Sequence, residues 1–175
     1  TLKMFQGILV PGGFGKDGAI GKINAIKFAK ISNIPFLGIC FGMQLAIIES
    51  MKSLKGFEKA SSTEFGKTNL PIISMMHEWQ KGKKIHKQDL ENLGGSMRLG
   101  SYESILKKGT LIYEVYKKQN IYERHRHRYE VNYNYIQSIK KSGVTLSGLS
   151  PDGKLVEIIE RKNHPWFVGV QFHPE

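Results

Sequence analysis

Ile34-Pro35-Phe36-Leu37-Gly38-Ile39-Cys40-Phe41-Gly42-Met43-Gln44 carries an apolar run through the chain's only cysteine and into residues patterned for a helix. The apolar half reads as a strand over 36–39, hydrophobic on both faces, as a parallel strand covered from both sides must be. A strand that turns sharply into a helix exposes one side chain at the carboxyl edge of its sheet. Gly38 and Gly42 leave room there, where a β-carbon would clash. Cys40 is thus expected at a nucleophile elbow, held up to solvent near the positive end of a helix, where backbone N–H groups favour thiolate over thiol. Taken alone, an isolated cysteine reads equally as a small buried hydrophobe.

Working outward, Gly7-Ile8-Leu9-Val10 is a short strand ending in the glycine-rich loop Pro11-Gly12-Gly13-Phe14-Gly15. Residues 19–30 place Ile20, Ile23, Ile26 and Ala29 at helical spacing, the signature of a crossover helix on a sheet. A second helix is expected over 43–51. Further on, a strand is expected at 71–76, extended chain at 129–131, a short helix at 133–141, and strands at 144–149, 155–160 and 167–172. Residues 76–93 follow no recognisable motif, and the lysines of 81–87 read as a solvated loop. Strands alternating with helices predict one α/β domain: an open, mainly parallel sheet sandwiched by helices, flavodoxin-like in outline.

Composition narrows the setting. The 175 residues are 40% apolar and 23% charged, ordinary for a globular domain with its own core. One cysteine excludes an internal disulfide, and no Asn-x-Ser/Thr sequon occurs, so a cytoplasmic location is expected. The uncharged stretch 31–48 reaches the minimum length of a membrane span but carries Ser32, Asn33, Pro35, two glycines and Gln44, so no membrane association is expected. With 26 Lys and Arg against 15 Asp and Glu, the net charge of +11 raises polyanion binding as a possibility. The densest basic segment is Arg124-His125-Arg126-His127-Arg128; if extended, its arginines share one face and its histidines the other.

The chain closes on Gln171-Phe172-His173-Pro174-Glu175. A period of two points His173 and Glu175 to the same side, so an imidazole oriented by a carboxylate is available to activate Cys40. The N–H of Phe41 and that of Gly13 are candidate oxyanion donors.

The loop at 11–15, the Gly-Ile-Cys-Phe-Gly corner and the terminal His-Pro-Glu together resemble the class I, or triad, glutamine amidotransferases. Ser62-Thr63-Glu64-Phe65, Gly94-Gly95-Ser96-Met97-Arg98-Leu99-Gly100, the Arg-His-Arg-His-Arg ribbon and His164-Pro165-Trp166-Phe167 narrow the resemblance to the glutaminase domains of the CTP synthase family. That resemblance implies hydrolysis of L-glutamine through a thioester on Cys40, with His173 as general base and acid and Glu175 as its orienting carboxylate. The released ammonia would pass to a synthase domain that aminates UTP at the expense of ATP. It implies that Gly13, Phe41, Gly42, Met43 and Gln44 line the glutamine site, that Glu64 faces the substrate ammonium, that Arg128 borders its amino-acid end, and that Arg98 bears on GTP activation and coupling. Phe41 replaces the leucine usual in the family.

The same resemblance implies a glutaminase domain over 1–175 lacking the family's first elements, with the N-terminal synthase domain absent. No cofactor or metal is expected in this domain, while ATP, Mg and a GTP effector serve the whole enzyme, a homotetramer. Nucleic acid is not an expected partner. Three other readings stay open: another triad amidotransferase, a basic nucleic-acid-binding module using Arg124–Arg128, and a cysteine peptidase sharing the elbow but not the glutamine pocket.

Overall fold

A computed structural model describes residues 2–75 and 97–175 in full, and the backbone of 78–81 and 84–87. Strands β1 (Ile8–Val10), β2 (Phe36–Ile39), β7 (Arg98–Leu106), β8 (Asn120–His127), β10 (Thr145–Leu149), β11 (Val156–Glu160) and β12 (Phe167–Val170) form one open sheet, ordered β1-β2-β12-β11-β10-β7-β8. Parallel pairing is confined to β1 with β2 and β2 with β12; the other ladders run antiparallel. The sheet is therefore mixed, and the expected parallel character belongs to its β1-β2-β12 end. The reason is local: β7 and β8 are consecutive partners, and β10, β11 and β12 follow one another through short turns, a connection only antiparallel strands allow. A smaller sheet joins β3 (Ser61–Ser62), β4 (Pro71–Met75) and β9 (Tyr129–Val131).

Helices cover both faces. Helix α1 (Ala19–Ser32) ends where Asn33 turns left-handed at φ 53° and its N–H reaches the Ala29 carbonyl. Helix α2 (Phe41–Lys52) is buried along 41–51, packed between α1 and the sheet. With α4 (Ile136–Lys141) it closes a core of Val10, Phe36, Met43, Ile47, Ile159 and Phe167 on one face. Each such aliphatic or aromatic side chain contributes about 1.5–3 kcal/mol on full burial. On the other face α3 (Leu111–Tyr116) seals a second cluster containing Ile39, Cys40, Leu106, Ile112, Ile121, Val168 and Phe172. Strand alternation sorts the two: Phe36 and Phe167 face one core, Ile39 and Val168 the other.

Two further expectations are corrected. The lysine-rich stretch is not a loop but an antiparallel hairpin of β5 (Glu78–Lys81) and β6 (Lys84–Lys87), Glu78 opposite Lys87. The long pair β7–β8, with α3 between its arms, is marked in the sequence only by the alternation expected of 124–128 if extended. Residues 94–96 of the glycine-flanked motif lie outside the described residues. No helix among the described residues is long and apolar enough to cross a membrane.

Candidate active site

The corner at Cys40 is as tight as its glycines suggest. Cys40 adopts φ 51°, ψ −103°, a region that costs a non-glycine residue about 1–3 kcal/mol. A β-carbon on Gly38 would lie 2.8 Å from the Gly42 carbonyl, and one on Gly42 only 2.1 Å from the Val10 oxygen. Those two glycines let the first turn of α2 press against β1 and β2. The strained residue is then held by its own N–H, which donates to the Val170 carbonyl at 2.7 Å.

Burial differs from the sequence expectation. Cys40 is 5% exposed rather than held up to solvent, and the loss of hydration pushes its thiol up to about 12. The Phe41 N–H and the Gln171 amide, whose Nε2 lies 3.6 Å from Sγ, act the other way, and the nearby Glu130 and Glu64 charges reinforce burial. The resting group is a thiol. Although screened from bulk water, it lines a cavity of about 500 Å³ shared with Gly13, Phe14, Gln44, Glu64, Arg126 and Arg128, a volume within the range of small-molecule sites.

His173 sits against the glycine loop at Gly12, on a segment tied to β8: its N–H donates to the Arg124 carbonyl at 2.8 Å, and Arg124 Nη2 donates to the Glu175 carbonyl at 2.6 Å. Its Nδ1 is 2.8 Å from Glu175 Oε1, so the carboxylate fixes the Nδ1–H tautomer and leaves Nε2 as the acceptor. The same bond lowers the Glu175 carboxyl below its usual range. The glycine loop joins the halves of the site. A β-carbon on Gly12 would stand 2.8 Å from His173 Cε1, while the neighbouring Gly13 lines the Cys40 cavity.

Charge within the cavity is divided. Glu64 accepts from the Gly15 N–H at 2.7 Å through Oε1, which anchors the glycine loop to the turn at 63–65. Arg126 and Arg128 supply the cationic side. Behind them lies a dry ionic cluster: Arg98, 1% exposed, donates to Glu130 at 2.9 Å and Glu157 at 2.8 Å. Next to it, His125 Nδ1 and His127 Nε2 are 2.9 Å apart. Burial and then the Arg98 charge push both imidazoles down, His125 to about 2. Burial raises both carboxyls despite Arg98.

The family model of class-I glutamine amidotransferases matches residues 1–175. The chain belongs to that family. It is 54% identical over 175 residues to the CTP synthase of Paramagnetospirillum magneticum and 58% identical to that of Pelagibacter ubique, in each case over 99% of this chain and 32% of the relative. The chain thus spans 32% of the length of these curated relatives. Among solved structures, the glutaminase domain of Trypanosoma brucei CTPS with bound acivicin superposes with a TM-score of 0.84 at 32% identity, covering 99% of this chain and 64% of that one. A glutamine amidotransferase of Thermotoga maritima shares the fold at TM-score 0.60 and 14% identity, over 99% and 57% of the two chains.

Among class-I amidotransferase positions singled out in the sequence, Gly13, Cys40, Gln44, Glu64 and Arg128 meet around one cavity. Gln44 is committed there, its Nε2 donating to the Tyr129 carbonyl at 2.9 Å and to Gln171 Oε1 at 3.1 Å. Phe41 and Met43 turn their side chains into the core: Phe41 stacks edge-on to Phe65 at 6.0 Å, and Met43 fills the space over Gly169. What Phe41, Gly42 and Met43 can offer a substrate is backbone N–H. Arg98 is enclosed, its guanidinium taken up by two carboxylates, so it braces β7 against β9 and β11 and is out of reach of a nucleotide in solution. Gln171 and Arg124 carry no part in the glutamine site on sequence grounds, Arg124 being marked only as a possible polyanion contact. Both sit within motifs already quoted, and their part in the site became visible only when β8 was found alongside the terminal segment.

Proposed function

We propose that this chain hydrolyses L-glutamine as the glutaminase part of a CTP synthase, delivering ammonia for the ATP-dependent amination of UTP. The observation that carries the reading is the pairing of His173 with Glu175 at 2.8 Å, against the glycine loop that also lines the Cys40 cavity. Similarity to CTP synthases across 99% of the chain supports the assignment among triad amidotransferases.

In this mechanism glutamine enters with its ammonium toward Glu64 and its carboxylate toward Arg128, replacing the hydration a zwitterion loses on burial. Sγ–H of Cys40 gives its proton to His173 Nε2 as Sγ attacks the side-chain amide carbon. A thiol with a pKa of about 12 matches this order: thiolate forms during attack, with the Gln171 amide and the Phe41 N–H facing the new charge. The N–H groups of Phe41 and Gly13 receive the oxyanion, each such donor contributing about 3–4 kcal/mol to the transition state. Protonated His173 then hands its proton to the departing nitrogen, which leaves as ammonia. Water, deprotonated by the same Nε2, attacks the thioester carbon; the C–S bond breaks to release glutamate, and the imidazolium returns the proton to Sγ. Glu175 keeps the imidazole in one tautomer throughout.

ATP, Mg, UTP and the GTP effector are assigned to the remainder of the whole enzyme, a cytoplasmic homotetramer in this reading. Among the described residues no group of three or more His, Cys, Asp and Glu is placed to hold a metal ion. The test is the full-length protein with Cys40→Ala. CTP formation from UTP and ATP should persist with ammonium and disappear with glutamine. Glutamine-dependent CTP formation in that variant would refute the assignment of the nucleophile, and an aminated product other than CTP would point to a different triad amidotransferase.

A further inference from the structure

The largest cavity among those described, about 660 Å³, shares no residue with the glutamine pocket. It lies at the opposite edge of the sheet. Cys40 follows the carboxyl end of β2, whereas this second cavity is bordered by Arg161, Lys162, Asn163 and His164, which lead into the amino end of the parallel neighbour β12. Five cationic side chains line it: Lys30, Lys107, Lys140, Arg161 and Lys162. No carboxylate does among the described residues. Of the five, Lys30 is paired with Glu49 at 2.7 Å, and the Glu49 charge also acts on Arg161; the ion pairs found among the described residues include none to Lys107, Lys140, Arg161 or Lys162.

Arg161 is the informative member. It is half-buried, its Nη2 donates to the Ser142 carbonyl at 2.8 Å and to Ser50 Oγ at 3.4 Å, and its Nε is buried without a hydrogen-bond partner. Like charges gathered in a concavity repel one another and raise the local concentration of anions. The floor is apolar, made by Val144, Leu146 and Leu149, and Gly143 has φ 87° with Arg161 Nη1 only 2.9 Å from where its β-carbon would be, so the backbone there gives way to the guanidinium.

We propose that this cavity is a second ligand site, for a small anion bearing at least two phosphate groups. The concave shape selects a small molecule over a polyanionic surface, because Arg161 lies on its inner wall, whereas Lys107, Lys140 and Lys162 are exposed around it. The Arg161 guanidinium, fixed by its bond to Ser142, supplies a permanent positive charge to one phosphate, and the flexible ammonium groups reach a second. An apolar floor beneath charged walls is the usual make-up of a site that also holds a less polar portion of its ligand.

The test uses inorganic pyrophosphate as the probe on the full-length protein, with hydrogen exchange read peptide by peptide so that binding elsewhere in the enzyme is separated from binding here. Pyrophosphate should slow exchange in the peptides covering 140–149 and 161–165. The midpoint concentration should rise roughly tenfold on Lys140→Gln or Lys162→Gln, whose exposed positions keep the fold, and more on Arg161→Gln. Arg161→Lys, which keeps the charge and loses the bond that fixes it to Ser142, should fall between. Protection should also weaken steeply as salt is raised. No protection in these peptides, or protection that persists unchanged in both lysine variants, would overturn the proposal.

Discussion

Gly12→Ala isolates the imidazole from the rest of the fold. Gly12 is not among the glycines with positive φ, so its backbone accommodates alanine without conformational strain. The new methyl group would meet His173 Cε1 at 2.8 Å, roughly 0.6 Å inside ordinary contact. The His173 segment is anchored by its N–H to Arg124 and its ring by Nδ1 to Glu175, so the strain is relieved by turning the ring and lengthening the 2.8 Å bond to the carboxylate. A displacement on the order of 1 Å at a reacting group costs about 10²-fold in rate, or about 2.7 kcal/mol of transition-state stabilisation. Glutamine hydrolysis by the full-length protein should therefore fall by about two orders of magnitude in kcat. KM should change little, because Glu64 and Arg128 are untouched. The melting temperature should stay within a few degrees of wild type, since the partly exposed ring can yield. Wild-type kcat in a folded Gly12→Ala protein would show that His173 is not where the chemistry needs it.

Three further outcomes follow from the site. With its thiol pushed up to about 12, Cys40 should react slowly with iodoacetamide near neutral pH, and the rate should climb about tenfold per pH unit through pH 7–9, as more thiolate forms; a plateau reached by pH 7 would contradict the buried-thiol picture. Arg98→Met leaves Glu130 and Glu157 facing each other in a dry interior, and removal of one partner from a buried ionic cluster costs about 3–5 kcal/mol, measurable by urea denaturation. Glu130, raised to about 8 by burial despite Arg98, binds a proton more tightly folded than unfolded; its contribution to stability is full below about pH 4.5 and is lost as pH rises toward 8, so Glu130→Gln should flatten the pH dependence of unfolding across that interval.

The half of the fold around Cys40 was legible because β2 and α2 are short, apolar and punctuated by Gly38 and Gly42, whose places are dictated by contacts of 2.8 and 2.1 Å. The β7–β8 hairpin escaped notice because its inward positions include Arg98, Ser104, His125 and His127, which break the apolar alternation that marks a half-buried strand. Arg98 is held inside by Glu130 and Glu157, 32 and 59 positions further along the chain, and His125 by His127, pairings that no local apolar pattern reveals. Alternation in the Arg-His ribbon was nevertheless read correctly over 124–127: His125 and His127 are buried, and Arg124 and Arg126 face outward. The exposure of Cys40 was misjudged for a related reason. The elbow geometry is local, but the groups that close over it include Gln171, Arg126 and Arg128, which join from distant parts of the chain.

The central claim is that Cys40 carries the glutamyl group. Full-length protein mixed with glutamine, quenched in acid within the first turnovers and digested for mass spectrometry, should show one glutamyl adduct on the peptide holding Cys40. Steady glutamine hydrolysis with that peptide unmodified at every quench time, or undiminished in Cys40→Ala, would contradict it.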